Sequence, residues 1–259
     1  MEPETFGEPV QKEKVEKVQA KHFFARLGGV LFSPREAFTE IGSASRLIVP
    51  IIAVFLISAF GGWYLIQKVD TQAAMRASLE QAVRQGRITV EQMDQQVAIV
   101  AAAAGPFTAV GGGVSALILC LAIAGYGKLF SLIFGAKNGF LKLFEVSLYA
   151  VLAVGAVSTV LTISILQIRG QGSIEAADIN YIVASSLGSW IASVGGADVL
   201  PKFIMRLAEA ADIFNIWIIA LLSIGFSAVS KNLKASSAAM CLGGAYVFFS
   251  IITAAISSL

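Results

Sequence analysis

Residues 213–230 form an apolar run of 18 residues without a charge, with Asp212 before it and Lys231 and Lys234 just after it. A backbone in hydrocarbon must satisfy its own hydrogen bonds, which confines such a run to a helix. At about 1.5 Å per residue, a helix of this length approaches the ~30 Å hydrocarbon thickness of a bilayer. Uncharged runs of 21 and 33 residues also cover 47–67 and 95–127. A soluble domain needs about 25% charged residues to clothe its surface. Here only 14% are charged, 56% are hydrophobic, and the mean hydropathy is +0.77. These features predict an all-α, polytopic membrane helical bundle.

Five spans are expected, at about 47–67, 107–127, 144–166, 210–230 and 236–258, which together make residues 47–259 the membrane domain. Residues 1–21 carry five acids and four lysines with few large apolar residues, the composition of a disordered charged tail. They contain no apolar core of the signal-peptide kind, so the first span is expected to act as the insertion signal. Residues 22–46 read as amphipathic, interfacial helices. Phe23, Phe24, Leu27, Val30 and Leu31 share one helical face, with Lys21 and Arg26 at its flank. That face suits either the membrane surface or packing on the rest of the protein. Ser33 as N-cap, Pro34 at the first helical position and Glu36 at the third predict a capping box, and Gly42 a stop.

Residues 69–104 and 169–206 read as helical excursions outside the membrane. A break is expected at Gly86, and a restart at Thr89 with Gln92 as a second capping box. Gly105-Pro106 is expected to divide the run 95–127 ahead of the second span. Gly111, Gly112 and Gly113, and the pair Ala239 and Gly243, suit close helix approach. Trp63 and Tyr64 fit an interfacial belt. The uncharged run 179–197 is rich in Ser and Gly and is expected to be interfacial or re-entrant rather than a sixth span. Charge bias supports this. With five spans and a cytoplasmic N-terminus, 12 of the 19 basic residues lie on the cytoplasmic side, some in short loops beside spans. The C-terminus is then outside. Asp212 sits at the positive end of its helix dipole, and Lys231 and Lys234 at the negative end.

No catalytic, cofactor-binding or metal-ligating constellation is present, so no enzyme is expected. A net charge of +2 argues against a nucleic-acid binder. Cys120 and Cys241 lie in apolar runs and read as packing residues. His22 has no Cys/His cluster around it. There is neither a G-x-S-x-G elbow nor a G-x-x-x-x-G-K-[ST] phosphate loop. Glu145 and Asp212 could line an ion path, since acids in membranes are expensive. The simpler reading makes Glu145 a first-turn acid near the headgroups, and Asp212 an N-cap with Asn215 at its third position. Ser158, Thr159, Thr162, Asn215, Ser223, Ser227, Tyr246 and Thr253 could line a polar path or bond between helices.

Three stretches carry a family resemblance: Ser33, Pro34, Glu36 and Phe38 ahead of the first span; a turn opened by Gly135 and closed by Phe140; and Asp212, Phe214 and Trp217 leading to Gly225. In their order and spacing the chain resembles the Ypt-interacting-protein (YIP) membrane family in its bacterial form. The resemblance implies a five-helix fold with a cytoplasmic N-terminus, here in a bacterial plasma membrane. Eukaryotic members bind Rab-type GTPases in vesicle traffic, a role that this short tail does not carry over. The expected function is a non-catalytic membrane organiser or adaptor. Its expected partners are membrane lipid and an unknown protein partner or a homo-oligomer, with no cofactor. The alternative is a small transporter or channel.

Overall fold

The computed structural model describes residues 23–43, 46–169, 182–196 and 199–258. The expected tail at 1–21 lies outside them. The order is α1 (Phe23–Phe32), α2 (Pro34–Ser43), α3 (Ile48–Ile66), α4 (Thr71–Arg84), α5 (Val90–Ile133), α6 (Phe140–Arg169), α7 (Leu187–Gly195), α8 (Lys202–Ala210), α9 (Ile213–Val229) and α10 (Ala235–Ser257). Four of these helices, α3, α5, α6 and α10, are long and apolar enough to cross a membrane. The fifth apolar helix, α9, has 17 residues, or about 26 Å, the lower bound for a span.

Direction follows from contacts between distant residues. At one end, the Arg46 N–H at the start of α3 donates to Glu145 near the start of α6 (3.0 Å). At the other, Gln167 Nε2 of α6 donates to the Tyr64 hydroxyl of α3 (2.8 Å). The two helices therefore run parallel, and α5 between them runs back. The turns α5–α6 and α9–α10 are zipped together: the Lys137 and Lys231 N–H groups donate to each other's carbonyls (3.3 and 3.2 Å). Asn138 Nδ2 adds a bond to Ser230 Oγ (2.8 Å), and Lys128 Nζ bonds the Asn138 carbonyl (2.8 Å). Gly135 and Asn232 take left-handed backbone (φ 63° and 68°) to make these turns. Both turns thus lie at one end, here termed the basic end, with α6 and the shorter apolar α9 between them. Among the described residues of the run 179–197, α7 has only 9 residues, about 14 Å.

At the far end, the start of α9 is pinned by a second backbone pairing. Leu187 N–H donates to Ala211 O (3.1 Å), and Ile213 N–H to Ser185 O (3.0 Å). Asp212 caps α9 as expected, accepting from the Phe214 and Asn215 N–H groups (2.8 and 3.2 Å). The Thr89–Gln92 capping box also forms, and Gly86 breaks the preceding helix with φ 68°.

Several expectations are corrected. Gly105-Pro106 does not divide the run, because α5 continues through Pro106 for 44 residues. At about 66 Å it is over twice the hydrocarbon thickness, and its first half packs beside α4, where Arg76 pairs with Asp94 (3.0 Å). The Ser33 capping box does not form: among the described residues, neither the Ser33 hydroxyl nor the Glu36 carboxylate makes a hydrogen bond. α1 runs straight into Ser33, whose N–H is taken by Gly29 O (2.7 Å). Gly243 packs against nothing, while Ala238 and Leu242 face the core instead.

Of the three central glycines, Gly112 meets the Ser58 backbone and Gly113 the Phe55 ring of α3, while Gly111 is open. The tightest approach is Gly225 of α9. A Cβ there would lie 2.4 Å from Val146 Cγ1 and 3.1 Å from the Phe38 ring. Val146 and Phe38 are fully buried and have nowhere to move. Gly225→Ala is therefore expected to destabilise the protein by about 1–3 kcal/mol, although alanine favours helix by up to ~1 kcal/mol. Thermal unfolding in detergent should show a lower Tm; an unchanged or raised Tm would contradict this packing.

Candidate functional site

The most unusual chemistry lies at the basic end, beneath the layer formed by α1 and α2. Arg26 of α1 is 2% exposed, and Glu145 of α6 is fully buried. Local sequence explains the placement. Arg26 and Val30 are one turn apart, on the face that α1 turns inward; Glu145 and Tyr149 are one turn apart on α6. Arg26 Nε sits 3.6 Å from Glu40 Oε1 of α2, and Arg26 lies in hydrogen-bonding range of the buried Tyr149 hydroxyl. Phe23 covers the cluster, its ring centroid 5.9 Å from that of Tyr149.

Glu145 was expected in a first turn near the headgroups. Instead α6 begins at Phe140, which puts Glu145 in the second turn, inside the protein. One carboxylate oxygen takes the Arg46 N–H; the other, Oε2, has no hydrogen-bond partner among the described residues. The amphipathic reading of α1 is likewise settled in favour of packing. Phe23, Leu27, Val30 and Leu31 face the core, and Arg26 with them. Only Phe24 and Phe32 of that helix's large side chains turn outward, at 81% and 87% exposure. Arg26 was read from sequence only as a flank of the apolar face of α1, and Glu40 and Tyr149 were not singled out. The available signal was the one-turn spacing of Glu145 and Tyr149, but their partners come from helices over a hundred residues away.

Most of the motif residues gather around this end. Phe38 is fully buried against Gly225. Gly135 makes the zipped turn, and Phe140 stacks on Phe144 (6.4 Å). Ser33, Pro34 and Glu36 line a cavity of about 760 Å³ that α2 shares with the end of α9 and the start of α10. Phe214 and Trp217 pack on the core. Asp212 lies at the far end, together with Phe214 and Trp217 in the first turns of the helix it caps, and Ser185 Oγ bonds its second oxygen. It borders a polar cavity of about 430 Å³ with Arg206, Asn215 and Thr253.

The hydroxyls considered for a polar path are largely spent on backbone. Thr162, Ser223 and Thr253 donate to carbonyls four residues earlier (2.9, 2.6 and 3.0 Å). Ser227 donates to Leu233 O (2.8 Å). Asn215 and Tyr246 join helices: Asn215 Nδ2 donates to the Tyr246 hydroxyl (3.0 Å), which donates to Ala210 O (2.7 Å). The stretch of α9 between the two cavities holds the buried Leu221 and Leu222. Among the described residues, no group of three or more His, Cys, Asp or Glu could hold a metal ion.

Chemically, the cluster is a clamp. Arg26 pairs with Glu40 of α2 and reaches Tyr149 of α6, while Glu145 holds the Arg46 N–H ahead of α3. Removing one partner of a buried ion pair strands the other, at about 3–5 kcal/mol. Arg26→Ala and Glu40→Ala are each expected to destabilise on that scale, and the double variant by clearly less than the sum, because the second change removes a charge the first had stranded. Denaturation of the purified variants measures this; strict additivity would show that the residues do not act together.

Among known proteins, the family model described as the Yip1 domain matches residues 28–256. No curated protein and no solved structure matches the chain.

Proposed function

The chain belongs to the Yip1 domain family, and from that premise we propose that this multi-pass membrane protein is a non-catalytic organiser, which holds a protein partner or a second copy of itself at the basic end. In this reading the basic end faces the cytoplasm of a bacterial plasma membrane and the C-terminus faces outside. The observation that carries the proposal is the α1–α2 layer. It is braced by the buried Arg26–Glu40 pair and packed on the bundle through Phe38 and Tyr149, yet turns two nearly bare phenylalanines, Phe24 and Phe32, away from it. A rigidly mounted apolar surface beside a charged tail suits contact with another protein. The transporter alternative draws little support, since the candidate hydroxyls bond their own backbone and apolar side chains fill α9 between its cavities.

Two measurements test this. A photocrosslinker at position 24 or 32 should yield a discrete protein adduct in membranes, and one at Met240 should not. Adducts to lipid alone at 24 and 32 would overturn the partner reading. Reporter fusions should place Lys137 and Lys231 in the cytoplasm, and Arg84 and Leu259 outside. A cytoplasmic Leu259 would overturn the proposed orientation.

A further inference from the structure

The cavity of about 760 Å³ at the basic end has an unusual electrostatic frame. Arg35 and Lys234 stand on its rim, both exposed, and among the described residues neither has an ion-pair partner. Two helices start there. Pro34 opens α2, and Lys234 is the N-cap residue of α10 with no side-chain cap hydrogen bond. The first-turn N–H groups of a helix are unsatisfied donors at the positive end of its dipole. Two cations and two helix N-termini therefore converge on one space, beside the C-terminal end of α9, with Glu36 as the single acid among the lining residues.

The zipped turns add a second observation. The turns bring Lys128, Lys137, Lys142, Lys231 and Lys234 to the same end, and neither 128–142 nor 231–234 contains an acid. The backbone pairing of Lys137 with Lys231 forces two like-charged segments together. Such an arrangement is unfavourable without counter-charge, and it lies where the spans meet the headgroups. Clusters of four to eight basic residues beside spans attract anionic lipid. Ile224 and Ala228 on the span side of the cavity offer apolar contact to acyl chains.

We infer that this cavity binds the phosphate of an anionic phospholipid headgroup from the adjoining leaflet, with Arg35 and Lys234 as its charge partners and the α2 and α10 N-termini as donors. The ligand is the lipid, not free phosphate, because the cavity opens beside a span and ends on its apolar residues. The site requires no protein partner, so either proposal can fail alone.

The test uses the full-length protein, delipidated in mild detergent, with thermal unfolding followed as phosphatidylglycerol is titrated in. A saturable rise in Tm is expected. In R35Q/K234Q the half-saturating concentration should rise about thirtyfold, the scale for two basic groups near an anionic surface. In E36Q it should fall, because the rim loses its acid. R84Q, at the far end, should match the unaltered protein. Each variant is compared through its own lipid-dependent shift, so a lower starting Tm leaves the comparison intact. An equal shift with phosphatidylcholine or phosphatidylethanolamine, an equal shift with glycerol phosphate or inorganic phosphate, or an unchanged titration in R35Q/K234Q would each overturn the proposal.

Discussion

Arg26, buried against Glu40 and the Tyr149 hydroxyl, sets a condition that the rest of the fold has to meet. A guanidinium out of water is tolerated only with matched charge nearby. Here Glu40 of α2 supplies the charge and Tyr149 of α6 a polar partner, so α1, α2 and α6 have to meet at one point. The ion pair fixes α1 against α2, and the hydroxyl ties that pair to α6. With the layer so placed, Phe38 meets Gly225 where no side chain could intervene. The close α2–α9 approach and the cavity between those helices follow from that docking.

Sequence reasoning recovered what hydropathy and local capping determine. The apolar runs became helices, Asp212 and Thr89 became caps, and Gly86 a break, because each depends on residues within one turn. It failed where a distant segment decides. Gly105-Pro106 was read as a divider of its run, yet α5 passes through it; the one hydrogen bond that a proline costs is small against the packing that α3 provides along this stretch. Glu145 was assigned to the headgroups because a lone acid at a span's edge normally belongs there. The N–H that it accepts comes from Arg46, about a hundred residues earlier, which no local pattern reveals. Of the site, the motif residues were legible as a set; that Phe38 and Gly225 touch, and that two basic turns zip together, was not.

The zipped turns bear on orientation as well as on charge. Positive-inside counting treats basic loops as independent votes. Here 135–139 and 230–234 are hydrogen-bonded to each other, so they must lie on one side together. The two turns therefore count as one vote, and the apolar α9, with its 17 residues, ends beside the turn that precedes α6.

That shortness explains where the cavities lie. α9 rises about 26 Å while its neighbour α10, with 23 residues, rises about 35 Å. A short helix among longer ones leaves the ends of its neighbours overhanging empty space. At the far end, Thr253 and Ser257 of α10 overhang Asp212 and Asn215. At the basic end, α2 and the start of α10 overhang Ser227 and Ala228. Each overhang is braced by a backbone pairing that α9 makes with a distant segment, Ser185–Ile213 at one end and Lys137–Lys231 at the other. The two cavities differ in chemistry for the same reason. The far one forms at a helix start already capped by Asp212, so its donors are spent; the basic one forms where two helices begin without a side-chain hydrogen bond to cap them, and their donors remain free for an anion.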